Sequence, residues 1–123
     1  MIRFELPTVP PSANDEGQRG QHWSGRSRAR RLWHDKATAL LLAQRLKLAR
    51  DPEQPCIVTH TFECRGDGAN REKLATDFLV RAGLLHDDRW PWLFEVRVRG
   101  RRMTRGEWWT CEIVDCDHEG RTT

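Results

Sequence analysis

Acids, an amide and a lysine recur over residues 67–88, which read D-G-A-N-R-E-K-L-A-T-D-F-L-V-R-A-G-L-L-H-D-D. Asp67 opens this stretch, and Asp87 and Asp88 close it. Between them Asn70, Lys73 and Asp77 fall at i, i+3 and i+7, so on a helix they share one face. Leu74, Phe78, Leu79 and Ala82 recur at helical spacing and make a second, apolar face. Asp67 or Asn70 can cap the start of such a helix, and Gly83 can stop it. Carboxylates at both ends of a short helix that carries a lysine have the chemistry to hold a divalent cation and a phosphate. Hard cations take a few carboxylate oxygens and fill the remaining positions with water and substrate oxygen. A structural reading uses the same residues: Asp67 as a cap, Lys73 and Asp77 as an i,i+4 pair, Asp87-Asp88 as a polar turn. Spacing alone does not choose between the two.

The pattern D-x-A-N-x-x-K-x-x-x-D-x-L-x-x-A-G-x-x-x-D-D resembles the signature of the RusA-type Holliday junction resolvases. That signature reads D-x-D-N-x-x-K, then a helix with D-x-L, then A-G and a terminal D-D. A second match lies at the N-terminus, where Leu6-Pro7 and Pro10-Pro11-Ser12-Ala13-Asn14 are similar to the family's L-P-x-P-P-S-x-N opening. The resemblance implies a RusA-like endonuclease that resolves four-way junctions and other branched DNA in recombination and repair, with Mg²⁺ as cofactor and Mn²⁺ as a substitute. It implies Asp67 and Asp88 as metal ligands, with Asp87 and Asp77 as further candidates, and Asn70 and Lys73 as catalytic residues beside them. It also places the loop holding Asn14 near the DNA. One position departs from the signature: Ala69 stands where the family has a second acid. A cage short of one carboxylate leaves open a second reading, a branched-DNA-binding protein of the same fold with weakened cleavage.

The elements that must position these residues follow from periodicity. Alternation predicts strands over 2–6, 56–65, 92–99 and 108–114. The third strand would turn Trp92, Phe94, Val96 and Val98 inward and pair with the fourth as a hairpin. His60, on the apolar face of the second strand, reads as a satisfied core or interface histidine rather than a ligand. A long helix is expected over 27–49, with Trp33, Ala37, Leu40, Leu41 and Leu48 as its stripe and Leu42 and Leu46 widening it. The expected architecture is therefore α+β: a small mixed sheet of about four strands with two helices packed on it. A Pro- and Gly-rich loop fills 7–25, where His22 and Trp23 could stack on an unpaired base or pin the loop to the core. The tail 115–123 carries no pattern and is expected to fray.

Charge points to the partner. The 123 residues carry 21 Lys and Arg, mostly arginine, against 18 Asp and Glu, for a formal charge of +3. Arg26, Arg28, Arg30 and Arg31 crowd the first turns of the long helix, where the helix dipole disfavours cations and a phosphate partner would favour them. Arg97, Arg99, Arg101, Arg102 and Arg105 gather in and after the third strand, and planar guanidinium forks suit phosphate. Both groups are candidate DNA contacts. A four-way junction needs two symmetric nicks, which a two-fold homodimer supplies. At 123 residues one domain is expected. Charged residues reach 32% and mean hydropathy is −0.77, and no apolar run is long enough to span a membrane, so a cytoplasmic protein is expected. The four cysteines form no C-x-x-C pair and read as buried free thiols in a reducing compartment.

Overall fold

Alternating apolar residues become four strands: β1 (Ile2–Leu6), β2 (Cys56–Glu63), β3 (Leu93–Arg101) and β4 (Trp108–Asp115). Two helices join them, α1 (Trp23–Ala43) and α2 (Glu72–Arg81), the second entered through a 3₁₀ turn at Gly68–Arg71. The computed structural model describes residues 1–12, 23–46, 48–66 and 68–123, with backbone alone at 23–27. The strands form one mixed sheet in the order β1-β4-β2-β3, with β2 and β3 parallel and the other two pairings antiparallel. This is the α+β architecture expected from the sequence.

Register decides what each face of the sheet carries. Phe4, Val58, Phe62, Trp109, Cys111 and Ile113 point to one side and are buried with Trp33 and Ala37 of α1 and Phe78 and Leu79 of α2. Trp109 is the hub: its ring meets Phe4 at 5.2 Å, Phe78 at 5.6 Å and Trp33 at 5.8 Å. Both helices therefore cover the same face. The opposite face carries Arg3, Thr59, Thr61, Arg97, Arg99, Thr110 and Glu112, and neither α1 nor α2 covers it.

Several expectations are corrected. The expected β3–β4 hairpin does not form, because β2 lies between the two strands. The α2 crossover delivers β3 parallel to β2, as such a connection requires. β4 then takes the other edge of β2, where Trp109, Cys111 and Ile113 reach the helices. β3 is left at the sheet edge, so Val96 and Val98 face the helix side yet are each 37% exposed. α1 begins earlier and ends earlier than expected, closing at Ala43 with Arg45 in a left-handed conformation (φ 53°). Leu42 and Leu46 consequently do not widen the buried stripe but are exposed. The tail 115–123 folds back rather than lying free: Cys116 bridges to Thr122, and Asp117 accepts the backbone N–H groups of Glu119 and Arg121 at 2.9 Å each.

Candidate active site

The 3₁₀ turn and α2 are held in place by buried polar groups. Gly68 lies against β2 so closely that a Cβ there would stand 3.1 Å from the Phe62 ring. Arg71, at 9% exposure, donates to the Pro10 carbonyl at 2.6 Å and to the Arg65 carbonyl at 3.3 Å. It thereby ties the N-terminal proline segment, where Thr8, Val9 and Ser12 are also buried, to the start of α2. The two sequence motifs meet at this arginine.

A second anchor crosses the core. The indole N–H of Trp109 donates to Nδ1 of His60 at 3.0 Å. Because an indole nitrogen can only donate, Nδ1 must accept, and the imidazole proton lies on Nε2. Nε2 then donates to the Thr76 hydroxyl at 3.0 Å, and that hydroxyl donates to Glu72 Oε1 at 2.6 Å. His60 is fully buried and neutral; desolvation lowers its pKa to about 3. The expectation of a satisfied core histidine holds. This chain fixes the rotation of α2 about its axis. Thr76 faces inward with Leu74, Ala75, Phe78 and Leu79, while Lys73 is exposed and Asn70 and Asp77 are half-buried.

The terminal acids are placed by a glycine-ended helix stop. Gly83 has φ 77°, a left-handed conformation that favours glycine. Its N–H bonds Val80 O at 3.1 Å, and that of Leu84 bonds Leu79 O at 3.0 Å, the paired bonds of a Schellman stop. Leu84 and Leu85 bury behind it, and the His86 ring meets Trp92 at 4.4 Å. Asp87 and Asp88 follow at the surface. Asp87 accepts the Asp88 backbone N–H at 2.7 Å and pairs with Arg89 at 2.8 Å.

A hydrogen bond shared with Asp87 raises the Asp88 carboxyl above its ordinary range; desolvation and the charges of Asp87 and Asp77 add to the shift. The same bond, helped by Arg89, lowers Asp87. The charge of Asp77, carried on α2, thus reaches Asp88. The charges of Asp87 and Asp77 oppose the ionisation of Asp88, a repulsion that a hard divalent cation on Asp88 would relieve, and Mg²⁺ needs only one or two carboxylates when water and phosphate supply the rest. The donor chemistry fits such an ion. Among the described residues, no three His, Cys, Asp or Glu side chains stand together closely enough to hold a metal by themselves. Asp67, expected as the first ligand, and Asn14 lie outside the described residues. Glu63 pairs with Arg101 and Cys56 with Leu93, so the chain leaves β2 at one end of the sheet and enters β3 at the other.

The arginines divide between the two layers. Arg28, Arg30 and Arg31 are exposed on α1; the Arg26 side chain lies outside the description. Arg97, Arg99 and Arg101 point from the face of the sheet opposite α1 and α2, so the two groups do not form one patch. Arg102 is exposed in the loop that follows. Arg105 is committed elsewhere: it pairs at 2.9 Å with Glu63, whose side chain is 3% exposed, and lies 4.1 Å over the Trp108 ring.

Three residues with site-level roles were not singled out in the sequence. Arg71 and Thr76 carried no local signal. His34, buried on α1, stacks on Phe78 and feels Asp77. Its pKa is lowered by desolvation first and by Arg81 next. Of the cysteines, Cys56, Cys111 and Cys116 are buried free thiols and Cys64 is half-buried; burial pushes Cys56 up to about 11. No helix among the described residues is long and apolar enough to cross a membrane.

A scan of the chain against protein-family models returned no match, and a search of the curated proteins returned none.

Proposed function

We propose that the protein is a Mg²⁺-dependent, structure-selective endonuclease that acts on branched DNA, four-way junctions above all, as a cytoplasmic homodimer. The observation that carries this reading is the position of Asp88. It follows a structured helix stop, is hydrogen-bonded to Asp87, and feels the charges of both Asp87 and Asp77. The RusA-type motif supports the same assignment and supplies Asp67 as the second ligand. Bound there, Mg²⁺ supplies an activated water and charge neutralisation at the scissile phosphate. Asp88, with Asp67 and with Asp87 or Asp77 as further donors, holds the ion. Lys73, exposed one turn before Asp77, sets a positive charge against the phosphate oxygens. Asn70, one turn earlier again, orients a carboxylate or a bound water by hydrogen bonding. Arg28, Arg30 and Arg31 hold the backbone of a DNA arm on the helix side. Mn²⁺ substitutes for Mg²⁺.

A second reading rests on Ala69, which stands where the RusA-type signature has an acid. On that reading the protein binds branched DNA and cleaves it feebly. Incubating the purified protein with a synthetic four-way junction and Mg²⁺ separates the two. Paired, symmetric nicks support the enzyme; tight binding with no nick at any Mg²⁺ or Mn²⁺ concentration supports the binding protein.

A further inference from the structure

The face of the sheet opposite α1 and α2 carries charge in rows set by the strand register. Arg3, Glu112, Thr59 and Arg97 form one row; Glu5, Thr110, Thr61 and Arg99 form the next; Trp108, Glu63 and Arg101 form the third. Most of the arginines on this face are neutralised in place. Arg3 pairs with Glu5 at 2.9 Å and Glu112 at 3.7 Å, Arg97 with Glu95 at 2.9 Å, and Arg105 with Glu63 at 2.9 Å. Arg99 and Arg101 are different: among the described residues no carboxylate is in salt-bridge contact with either. They flank a shallow cavity of about 280 Å³, into which Thr61 and Thr110 also open.

Residues two apart on a strand point the same way and stand about 6.6 Å apart, comparable to the separation of successive phosphates on one strand of nucleic acid. Two free guanidinium forks at that spacing, with the Thr61 hydroxyl behind them while Thr110 donates to Glu5 at 3.4 Å, suit two consecutive phosphodiesters. We propose that this face is a second nucleic-acid contact, in which Arg99 and Arg101 grip the backbone of one DNA strand running along β3. The contact is separate from the Asp77–Asp88 side. It lies across the sheet from α2, and Arg99 is six residues, about 20 Å, along β3 from the end that Asp88 precedes. A branched substrate can then be held by one arm on the helix side and by another strand on the open side. This inference rests on reading the protein as DNA-binding, but not on its being a nuclease.

The rival occupant of an edge strand is a second copy of the chain. Arg97, Arg99, Arg101 and the exposed Arg102 would then confront their own copies, so the charge favours a polyanion.

The test is equilibrium binding of a four-way junction and of a single-stranded oligonucleotide, in EDTA, across a salt series, for the wild type and for Arg99→Ala/Arg101→Ala. Both side chains are exposed, so the double variant should keep the wild-type melting curve. The expected result is a loss of about two phosphate contacts: the log–log salt slope becomes shallower by about 1.8 on duplex arms and about 1.4 on the single strand. Arg99→Lys/Arg101→Lys should recover most of the slope, since the charge returns. Arg97→Ala, which removes an already neutralised charge, should change the slope by much less. An unchanged slope overturns the proposal. So does a change in oligomeric state without a change in slope, which would assign the edge to a second copy. Binding of inorganic phosphate that depends on Arg99 and Arg101, with polymer binding unaffected, also overturns it in favour of a small-anion site. Nicking does not enter the readout. A wild type that nicks junctions while the variant binds with an unchanged slope defeats only this inference. A shallower slope in a protein that never nicks defeats only the nuclease.

Discussion

Replacing Thr76 with valine tests the buried chain that sets the rotation of α2, and so the direction in which Lys73 and Asp77 point. Valine copies the shape of threonine and exchanges the hydroxyl for a methyl, so packing against Phe78 and Leu79 is nearly kept. The loss is polar. His60 Nε2–H has Thr76 Oγ1 as its partner at 3.0 Å, and at 0% exposure His60 has no water to turn to. Leaving a buried donor unsatisfied costs about 1–3 kcal/mol. Glu72 also loses the hydroxyl it accepts, but its half-exposed carboxylate can turn to solvent at little cost. For a chain of 123 residues, 1 kcal/mol corresponds to about 4 °C in Tm, so Thr76→Val should melt about 4–12 °C lower. Urea denaturation with an unchanged m-value should report the same loss. A variant within about 0.3 kcal/mol of wild type would refute the reasoning, because it would mean that the His60–Thr76 bond contributes nothing net or that His60 finds another partner.

Other outcomes follow from the same geometry. His60 is held neutral with a pKa lowered to about 3 from an ordinary value of 6.5, so between those values the unfolded chain binds the additional proton. Stability should be complete above pH 6.5 and fall as pH drops toward 3, by up to about 1.4 kcal/mol per pH unit; urea melts at a series of pH values on His60→Gln and wild type should show a shallower fall in the variant. Gly83→Ala places a side chain at φ 77° with open space around it, so its cost should be backbone strain alone, about 1–2 kcal/mol by denaturation. Lys73→Ala should slow junction nicking about 10²-fold in single-turnover assays while the protein stays folded. Ala69→Asp should lower the Mg²⁺ concentration for half-maximal nicking, since it restores the acid of the RusA-type signature; an unchanged Mg²⁺ requirement would show that position 69 is not a vacated ligand site.

What was legible in the sequence was local. The face of α2 that buries Leu74, Phe78 and Leu79, its stop at Gly83 and the alternation of β1, β2 and β4 are each encoded by neighbours within a few residues, and each appears where the spacing placed it. Strand pairing was not. Arginine-rich β3 followed by β4 reads as a hairpin, yet burying Trp109 against Phe4, Trp33 and Phe78 draws β4 to the far edge of β2. Long-range electrostatics was equally hidden. Arg105 looked like one more phosphate contact in a basic run, but a buried glutamate 42 residues away claims it. Arg71 looked like a spacer within the motif, and it turns out to join the proline segment to α2. The candidate acids were legible as residue types in order; the placement of Asp88 depends on a helix stop at Gly83, the buried Leu84 and Leu85, and His86 against Trp92 acting together.

The central claim is that Asp88 holds the catalytic cation. Its most direct test is Asp88→Asn on a synthetic four-way junction with Mg²⁺, nicking and binding being measured on the same preparation. The exchange keeps size and removes a metal ligand together with a charge that repels phosphate. The account predicts that nicking is abolished while junction binding is kept or tightened. Nicking at the wild-type rate by Asp88→Asn would contradict it.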